Sequence, residues 1–278
     1  MKVDLRTTLG EQAPLGQTSP YPKHYDKKLL YPVMRNKQRE AMGFPADIQF
    51  FGCDIWNCYE LSWLNEKGKP KRASFSFILQ SSSTYLAESK SVKLYLNSLN
   101  HHRFGSEEQV RETIERDLSS LCETEVTVQL NPQSLKTIKN SVAPYYCLDE
   151  LDVAIDIYER DPSLLKIDTQ VTIEDQVVTH LYKSHCLCTG QPDWGSIFID
   201  YKGPKIMRES LLKYLISYYD HVGFAENCIE QIYVDLMQGA RFERLRVFGR
   251  FTRRGGIDIN PYRQSERCEV INERLIYQ

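Results

Sequence analysis

Hydrophobic and polar residues alternate along several stretches in the first half of the chain. Residues 47–65 are rich in aromatic and β-branched side chains, and residues 73–79 alternate again after a turn at 67–70 that contains Gly and Pro. This pattern is typical of strands, and we predict an antiparallel hairpin of two long strands. Residues 125–130 and 148–157 are predicted to form two further strands.

A helical period follows the predicted hairpin. Apolar residues fall on one helix face at Val92, Tyr95, Leu96 and Leu99. A second set follows Ser106, which opens a capping box, and it comprises Val110, Ile114, Leu118 and Leu121. We therefore predict two consecutive amphipathic helices.

The same order of elements recurs in the second half. Paired strands are predicted at 176–188 and 196–201 around a turn that contains Pro192, helices at 207–219 and 225–237, and closing strands at 244–252 and 256–259. A repeat of this size indicates two similar modules. The predicted fold class is α+β, with an antiparallel sheet and two helices packed on one face of it in each module.

The repeat also predicts the domain organisation. Residues 1–45 are rich in Pro, Gly, Tyr and Lys without a sustained period, and we predict an N-terminal arm there. The first module is predicted at 46–160 and the second at 161–278, with the boundary in the segment around 155–168. Sheets of this kind have edges that a partner must cover, so we expect a homo-oligomer.

The composition is that of a globular protein and excludes several functions. Of the 278 residues, 41% are hydrophobic, and 35 Lys and Arg stand against 37 Asp and Glu, for a net charge of -2. This balance gives no basic surface for a nucleic-acid backbone. The short apolar runs and the N-terminus predict neither a membrane helix nor a secretory signal. We therefore expect a cytoplasmic protein whose eight cysteines are thiols.

The first candidate for chemistry is a thiol followed by a carboxylate. Cys186 ends a predicted strand, and Asp193 returns after the turn, seven residues later. A cysteine nucleophile needs a base, and its adduct needs a proton donor. One Asp can serve both uses if burial beside Trp194 raises its pKa. The same spacing is also typical of a packed hairpin end in which Asp193 caps the turn.

A metal site competes for the same segment. His180, His185, Cys186 and Cys188 supply four soft ligands within nine residues. On a strand, however, His185 points away from Cys186 and Cys188, and one strand cannot surround a tetrahedral ion. No metal site is predicted.

Two helix starts could hold a ligand. Residues 88–95 open a helix whose free N–H groups, together with Lys90 and Lys93, suit a phosphate, although a solvated lysine face is the alternative. Glu226 follows Phe224 and Ala225 at the start of another helix. It could accept two hydrogen bonds from a guanine-type edge, or it could simply stabilise the helix dipole.

The last candidate is the segment at 251–261. Arg253, Arg254, Gly255 and Gly256 place guanidinium groups beside backbone that a ligand can approach closely. A GxGxxG motif after a strand is absent from the sequence, so a Rossmann dinucleotide domain is not expected.

Taken together, these segments resemble the NADPH-dependent 7-cyano-7-deazaguanine reductases, the nitrile reductases of queuosine biosynthesis, in their two-module form. The resemblance covers nearly the whole chain, and its most specific motifs are ESKSVKLY at 88–95 and QPDW at 191–194. It extends over residues 21–32, 54–65 and 253–261. It implies tandem tunnelling-fold (T-fold) modules with a pocket between them.

The resemblance also implies a mechanism and a set of site residues. Cys186 is expected to add to the nitrile carbon to give a thioimidate, with Asp193 handling the proton and two NADPH consumed per turnover. The residues implied for the substrate are Ala87, Glu88, Ser89, Phe224, Ala225 and Glu226. Those implied for NADPH are Ser89, Lys90, Arg254 and Gly255. The expected assembly is a homodimer.

One position departs from the family. Ala225 stands where the family usually has His, and that His is the natural candidate for proton transfer during reduction of the imine. We therefore expect thioimidate formation to survive while turnover to the amine is impaired, with His185 as a weak candidate substitute donor. The alternatives are a purine-binding pseudo-enzyme and a zinc hydrolase related to GTP cyclohydrolase, for which the sequence supplies no convincing ligand set.

Overall fold

The computed structural model describes residues 9, 21–45, 48–139, 142–187 and 189–278. Within these residues the chain is α+β, as predicted. The strands are β1 (Pro32–Met34), β2 (Phe51–Leu64), β3 (Pro70–Gln80), β4 (Tyr85–Ala87), β5 (Thr127–Leu130), β6 (Ile138–Lys139), β7 (Tyr146–Cys147), β8 (Ile167–Cys186), β9 (Pro192–Ile206), β10 (Val222–Gly223), β11 (Arg244–Phe251), β12 (Ile257–Gln264) and β13 (Arg274–Leu275). The helices are α1 (Arg35–Ala41), α2 (Ser89–Ser98), α3 (Glu107–Cys122), α4 (Arg208–Ile216) and α5 (Ala225–Gly239).

One continuous sheet joins the two halves of the chain. Its order is β10-β8-β9-β11-β12-β2-β3-β5, and β7 pairs with β8 outside this path. All of the long strands pair antiparallel. The seam between the halves is the pairing of β12 with β2, in which Ile257 lies opposite Cys58 and Gln264 opposite Phe51.

All the helices in the two main cores lie on one face of the sheet. Strand alternation sends Trp56 and Cys58 toward α2 and α3, and sends Ile197 and Ile199 toward α4 and α5. The opposite face carries a smaller apolar cluster that includes Phe198 and is covered from residues 142–147 and 270–275. The helices of both halves therefore pack against the same face of the sheet. No helix among the described residues is long and apolar enough to cross a membrane.

Local signals in the sequence predict most elements correctly. The Ser106 hydroxyl accepts the N–H of Gln109 at 3.2 Å and so caps α3, as the capping box predicts. The hairpin of β2 and β3 and both helix pairs also lie where they were predicted. The strand predicted at 256–259 continues to Gln264, through Pro261.

The strand predicted at 148–157 is wrong. A 3-10 turn spans Leu148–Glu150, and residues 151–158 pair with no described strand. Leu151 and Val153 pack against the core under α4 and α5, so the burial alternates as in a strand. Alternation reports an extended backbone that is buried on one side, and it does not show that a strand lies within hydrogen-bonding distance.

The N-terminal segment contains regular structure. Its described part contains β1, which pairs antiparallel with β4, and helix α1. Arg35 at the start of α1 is 2% exposed. The segment therefore contributes a buried charge to the core beside the site described below.

Candidate active site

A cleft lies where the two halves of the chain meet. It encloses about 640 Å³ of empty space, counting its open mouth. Its apolar walls include Trp56, Phe251 and Ile257. Eight of the residues singled out from the sequence also line it: Ala87, Ser89, Cys186, Asp193, Phe224, Ala225, Glu226 and Arg254. The fold therefore brings together both helix starts, the end of β8 and the turn between β11 and β12.

Cys186 is placed by the backbone at the end of β8. Its N–H donates to the carbonyl of Gln191 at 2.8 Å, and its carbonyl accepts the N–H of Gly190 at 3.0 Å. Gly223 lies beside it in the parallel pair of β8 and β10. The side chain is a thiol that forms no disulfide, is 6% exposed and lines the cleft.

Asp193 enters the cleft from β9, on the other strand of the same hairpin. Burial raises its pKa to about 6, and the positive charge of Arg254 opposes that rise. An Arg254 guanidinium nitrogen lies 3.3 Å from a carboxylate oxygen of Asp193. Trp194, beside which the burial was expected, is itself 42% exposed and packs edge-on against Tyr219. Asp193 is thus poised to take up and release a proton near neutral pH.

Glu226 lies in the first turn of α5 and is 3% exposed. Burial and the nearby charge of Asp54 raise its pKa to about 8, while Arg35 and Arg263 act in the opposite direction. Phe224 precedes the helix as its N-cap residue and also lines the cleft. A buried carboxyl beside an aromatic ring suits a planar ligand that donates hydrogen bonds.

A buried network of ion pairs lies next to Glu226. No motif in the sequence indicates it. Asp54 accepts hydrogen bonds from Arg35 at 2.6 Å and from Arg263 at 2.8 Å. Glu230, one turn after Glu226 on α5, accepts from Arg263 at 2.9 Å and from Arg39 at 2.8 Å. The one available signal is that Asp54 stands between apolar residues, Cys53 and Ile55, in a predicted strand.

The Glu88 side chain caps the helix that follows it. Its two carboxylate oxygens accept the N–H groups of Lys90 at 2.8 Å and Ser91 at 2.6 Å, so it caps α2. Ala87 and Ser89 on either side line the cleft, whereas the Glu88 side chain is not among the groups that line it. The structure therefore shows a capping role for Glu88.

The turn between β11 and β12 presents Arg254 to the cleft. The N–H of Arg254 donates to the carbonyl of Ile257 at 2.9 Å, and Gly255 and Gly256 adopt φ of 62° and 78° in the two central positions. Such positive φ angles suit Gly, which has no Cβ. Arg254 also donates to the Thr189 hydroxyl at 3.0 Å. Neither Gly255 nor Lys90 lines the cleft itself.

The two histidines of the competing metal site each form a hydrogen bond with a different group. His180 shares a hydrogen bond of 2.7 Å with Ser196, and His185 one of 2.9 Å with the carbonyl of Gly190. Cys188 lies outside the described residues. Among the residues that are described, no group of three or more His, Cys, Asp and Glu could hold a metal ion.

Two family models match the chain. One, described as nitrile reductase, 7-cyano-7-deazaguanine-reductase N-term, matches residues 21–130, and one described as QueF-like protein matches residues 192–269. Similar proteins include the NADPH-dependent 7-cyano-7-deazaguanine reductases of Paraburkholderia xenovorans and Chromohalobacter salexigens. The first is 47% identical over 255 residues, which cover 91% of this chain and 93% of that protein. The second is 48% identical over 254 residues, which cover 91% of each.

Proposed function

The chain belongs to the nitrile reductase family, and we propose that it reduces the nitrile of 7-cyano-7-deazaguanine to an aminomethyl group with two NADPH, in queuosine biosynthesis. One observation carries the proposal. A thiol, Cys186, and a carboxyl with a pKa near 6, Asp193, open into one cleft with the buried carboxyl of Glu226.

Cys186 and Asp193 perform the covalent step. Asp193 takes the thiol proton, and Sγ adds to the nitrile carbon, so that one carbon–nitrogen π bond breaks. Asp193 then returns the proton to the nitrile nitrogen, which gives a thioimidate. A pKa near 6 suits both halves of this step, because proton transfer in either direction is then accessible near neutral pH.

Two reductions follow the covalent step. NADPH, when bound, supplies a hydride to the former nitrile carbon in each. After the first, the carbon–sulfur bond breaks and Cys186 is released from the resulting imine. The second gives the primary amine, and each hydride is accompanied by one proton. The carboxyl of Asp193 lies in the cleft where that proton is needed.

Glu226 recognises the deazaguanine. Its carboxylate can accept two hydrogen bonds, one from the ring N–H and one from the exocyclic amine. Phe224, with its aromatic ring, lines the same cleft, and so do Ala87 and Ser89 at the start of α2. Glu88 supports this wall by capping the helix that Ser89 begins.

The residues present also suit the phosphates of NADPH. Ser89 begins a ten-residue helix at the cleft, so its N–H groups and dipole favour an anion. Arg254 adds a guanidinium that is 36% exposed, and Lys90 lies next to Ser89 in sequence. Gly255 allows a ligand to approach the turn closely.

The architecture is consistent with tandem T-fold modules at 46–160 and 161–278 behind an N-terminal segment. One antiparallel sheet with a pair of helices on one face in each half supports this arrangement. Further parts of the proposal are a homodimer in the cytoplasm, small-molecule substrates only, no direct contact with nucleic acid and no resident metal.

Ala225 supports a second candidate, a variant that captures the nitrile but turns over slowly. It lines the cleft at the position where the family usually has His. In this case the covalent step proceeds, and the later proton transfers lack one donor.

Intact-protein mass spectrometry after mixing with 7-cyano-7-deazaguanine tests the proposal. We expect an adduct of the full mass of the nitrile on the native protein and on Cys147→Ala, a control thiol that does not line the cleft. Cys186→Ala should give none. Unchanged mass of the native protein would reject the covalent mechanism, and NADPH oxidation in the same mixtures separates full turnover from capture alone.

A further inference from the structure

Arg254 contacts the group that is proposed to move the proton. One guanidinium nitrogen lies 3.3 Å from Asp193, and another donates to the Thr189 hydroxyl at 3.0 Å. The same side chain is the only guanidinium among the described residues that line the cleft, and it is 36% exposed. It is therefore within reach both of Asp193 and of an anion that enters from the mouth.

The backbone holds Arg254 in place, and its side chain is partly exposed. The turn at 254–257 is closed by hydrogen bonds of 2.9 and 3.3 Å between Arg254 and Ile257. The long side chain can change partners without moving this turn. Since a guanidinium carries a single positive charge, a phosphate that binds it neutralises the field that Asp193 experiences, even if one N–H keeps its contact with the carboxylate.

We propose that Arg254 exchanges its ion pair with Asp193 for a phosphate of NADPH, so that arrival of NADPH frees the Asp193 carboxyl to hold a proton. This inference rests on the proposed function, and it assigns Arg254 the role of a positioning residue for the proton as well as a binding residue for NADPH.

The charged groups around Asp193 favour its protonation once the charge of Arg254 is neutralised. Among the described residues, Arg254 is the one cation that forms an ion pair with Asp193, and it opposes the rise of the Asp193 pKa more than His185, which acts in the same direction. Cys186 approaches from β8 and acts in the opposite direction, and Glu226 lines the same cleft from α5. The His185 ring is engaged by the carbonyl of Gly190. Removing the charge of Arg254 therefore leaves Asp193 in a buried, more anionic setting that favours its protonated form.

The exchange gives Asp193 the protonation state that each stage requires, first nitrile capture and then reduction. Before NADPH binds, the ion pair keeps Asp193 as a carboxylate, which can accept the proton of Cys186. That proton passes to the nitrile nitrogen as the sulfur–carbon bond forms, and Asp193 is a carboxylate again. Each reduction then consumes one hydride and one proton, and a carboxyl released from Arg254 takes up that proton from solvent more readily.

The test follows adduct formation without NADPH, so that no reduction is required. The rate of the mass increase with 7-cyano-7-deazaguanine is measured against pH for the native protein, Arg254→Gln and Arg267→Gln. Arg267 is the matched control, because its guanidinium stacks over the ring of Phe51 at 5.1 Å and it does not line the cleft. Each protein is also measured with adenosine 2′,5′-bisphosphate, which carries phosphates but no hydride.

We expect Arg254→Gln to move the acidic limb of the profile upward by about one pH unit, because Asp193 must be a carboxylate to accept the thiol proton. Adenosine 2′,5′-bisphosphate should move the native profile in the same direction and leave that of Arg254→Gln where it is. Arg267→Gln should behave as the native protein does.

Superimposed profiles for the native protein and Arg254→Gln would overturn the inference, as would a native profile that millimolar adenosine 2′,5′-bisphosphate does not move. In both cases the adduct still forms, so the proposed function stands. Failure of the native protein to form any adduct at any pH would instead reject the proposed function.

Discussion

Arg35 donates a hydrogen bond of 2.6 Å to Asp54, and both side chains are closed to solvent. Arg35 lies at the start of α1 and Asp54 in β2, so this bond fastens the N-terminal segment to the central sheet. Asp54 also accepts from Arg263 on β12. A single carboxylate thus connects the N-terminal segment with both strands of the seam between the halves.

Replacing Asp54 by Asn should destabilise the protein strongly. Two buried guanidinium groups would lose the negative charge between them, and breaking a buried ion pair in this way costs about 3 kcal/mol or more in free energy of unfolding. Urea denaturation followed by circular dichroism measures the change. Glu108→Gln is the control, because Glu108 pairs with Arg111 on an exposed helix face, where no measurable loss is expected. Equal stability of the two variants would contradict the role of Asp54.

Gly52 should also be hard to replace, for a steric reason. A Cβ at this position would lie 2.0 Å from the carbonyl oxygen of Tyr262, across the seam between β2 and β12. We expect Gly52→Ala to lower the free energy of unfolding by about 2 kcal/mol or more. Gly43→Ala is the matched control, since its Cβ would meet nothing within 4 Å and should cost only about 1 kcal/mol for its positive φ. A loss no greater than that of the control would show that the seam can adjust.

The features that could be predicted from the sequence are local ones. Cys186 and Asp193 are seven residues apart on one hairpin, so a short turn is enough to bring both into one cleft. Ser106 caps α3 through a residue three positions away. Each of these relationships is fixed by backbone geometry over a few residues, which spacing alone can express.

The features that could not be predicted depend on register between distant strands. Asp54 and Arg263 are 209 positions apart, and they meet only because β12 pairs with β2 in one particular register. The motif ESKS predicts a helix start at Glu88, yet it does not show that the carboxylate caps that helix. The contact of Arg254 with Asp193 likewise follows from the turn between β11 and β12.

Substrate affinity should increase as the pH rises through the pKa of Glu226. The pKa of this carboxyl in the free protein is raised to about 8, and only the carboxylate accepts two hydrogen bonds from the guanine-type edge. Below that pKa the dissociation constant should rise about tenfold per pH unit. Calorimetric titration of Cys186→Ala with 7-cyano-7-deazaguanine measures this dissociation constant at each pH, because this variant should bind the ligand without forming an adduct.

Glu226→Gln in the same background provides the control for that titration. It should bind weakly at every pH, because its amide presents one acceptor and adds a donor that faces the donors of the ligand. An affinity of Cys186→Ala that does not vary with pH would show that Glu226 is not the recognising carboxylate or that it is ionised throughout.

Restoring His at position 225 should increase turnover without changing nitrile capture. Ala225 lines the cleft beside Glu226, so an imidazole there would enter the space where the imine nitrogen needs a proton. General acid catalysis by a positioned side chain contributes two or more powers of ten, and we expect Ala225→His to raise the rate of NADPH oxidation by about tenfold or more. The adduct rate should remain as in the native protein, since Cys186 and Asp193 are unchanged. Ala225→Gln fills a similar volume without an ionisable ring and should give no gain; an equal gain in both variants would assign the effect to packing, and no gain in Ala225→His would show that this chain does not depend on a donor at position 225.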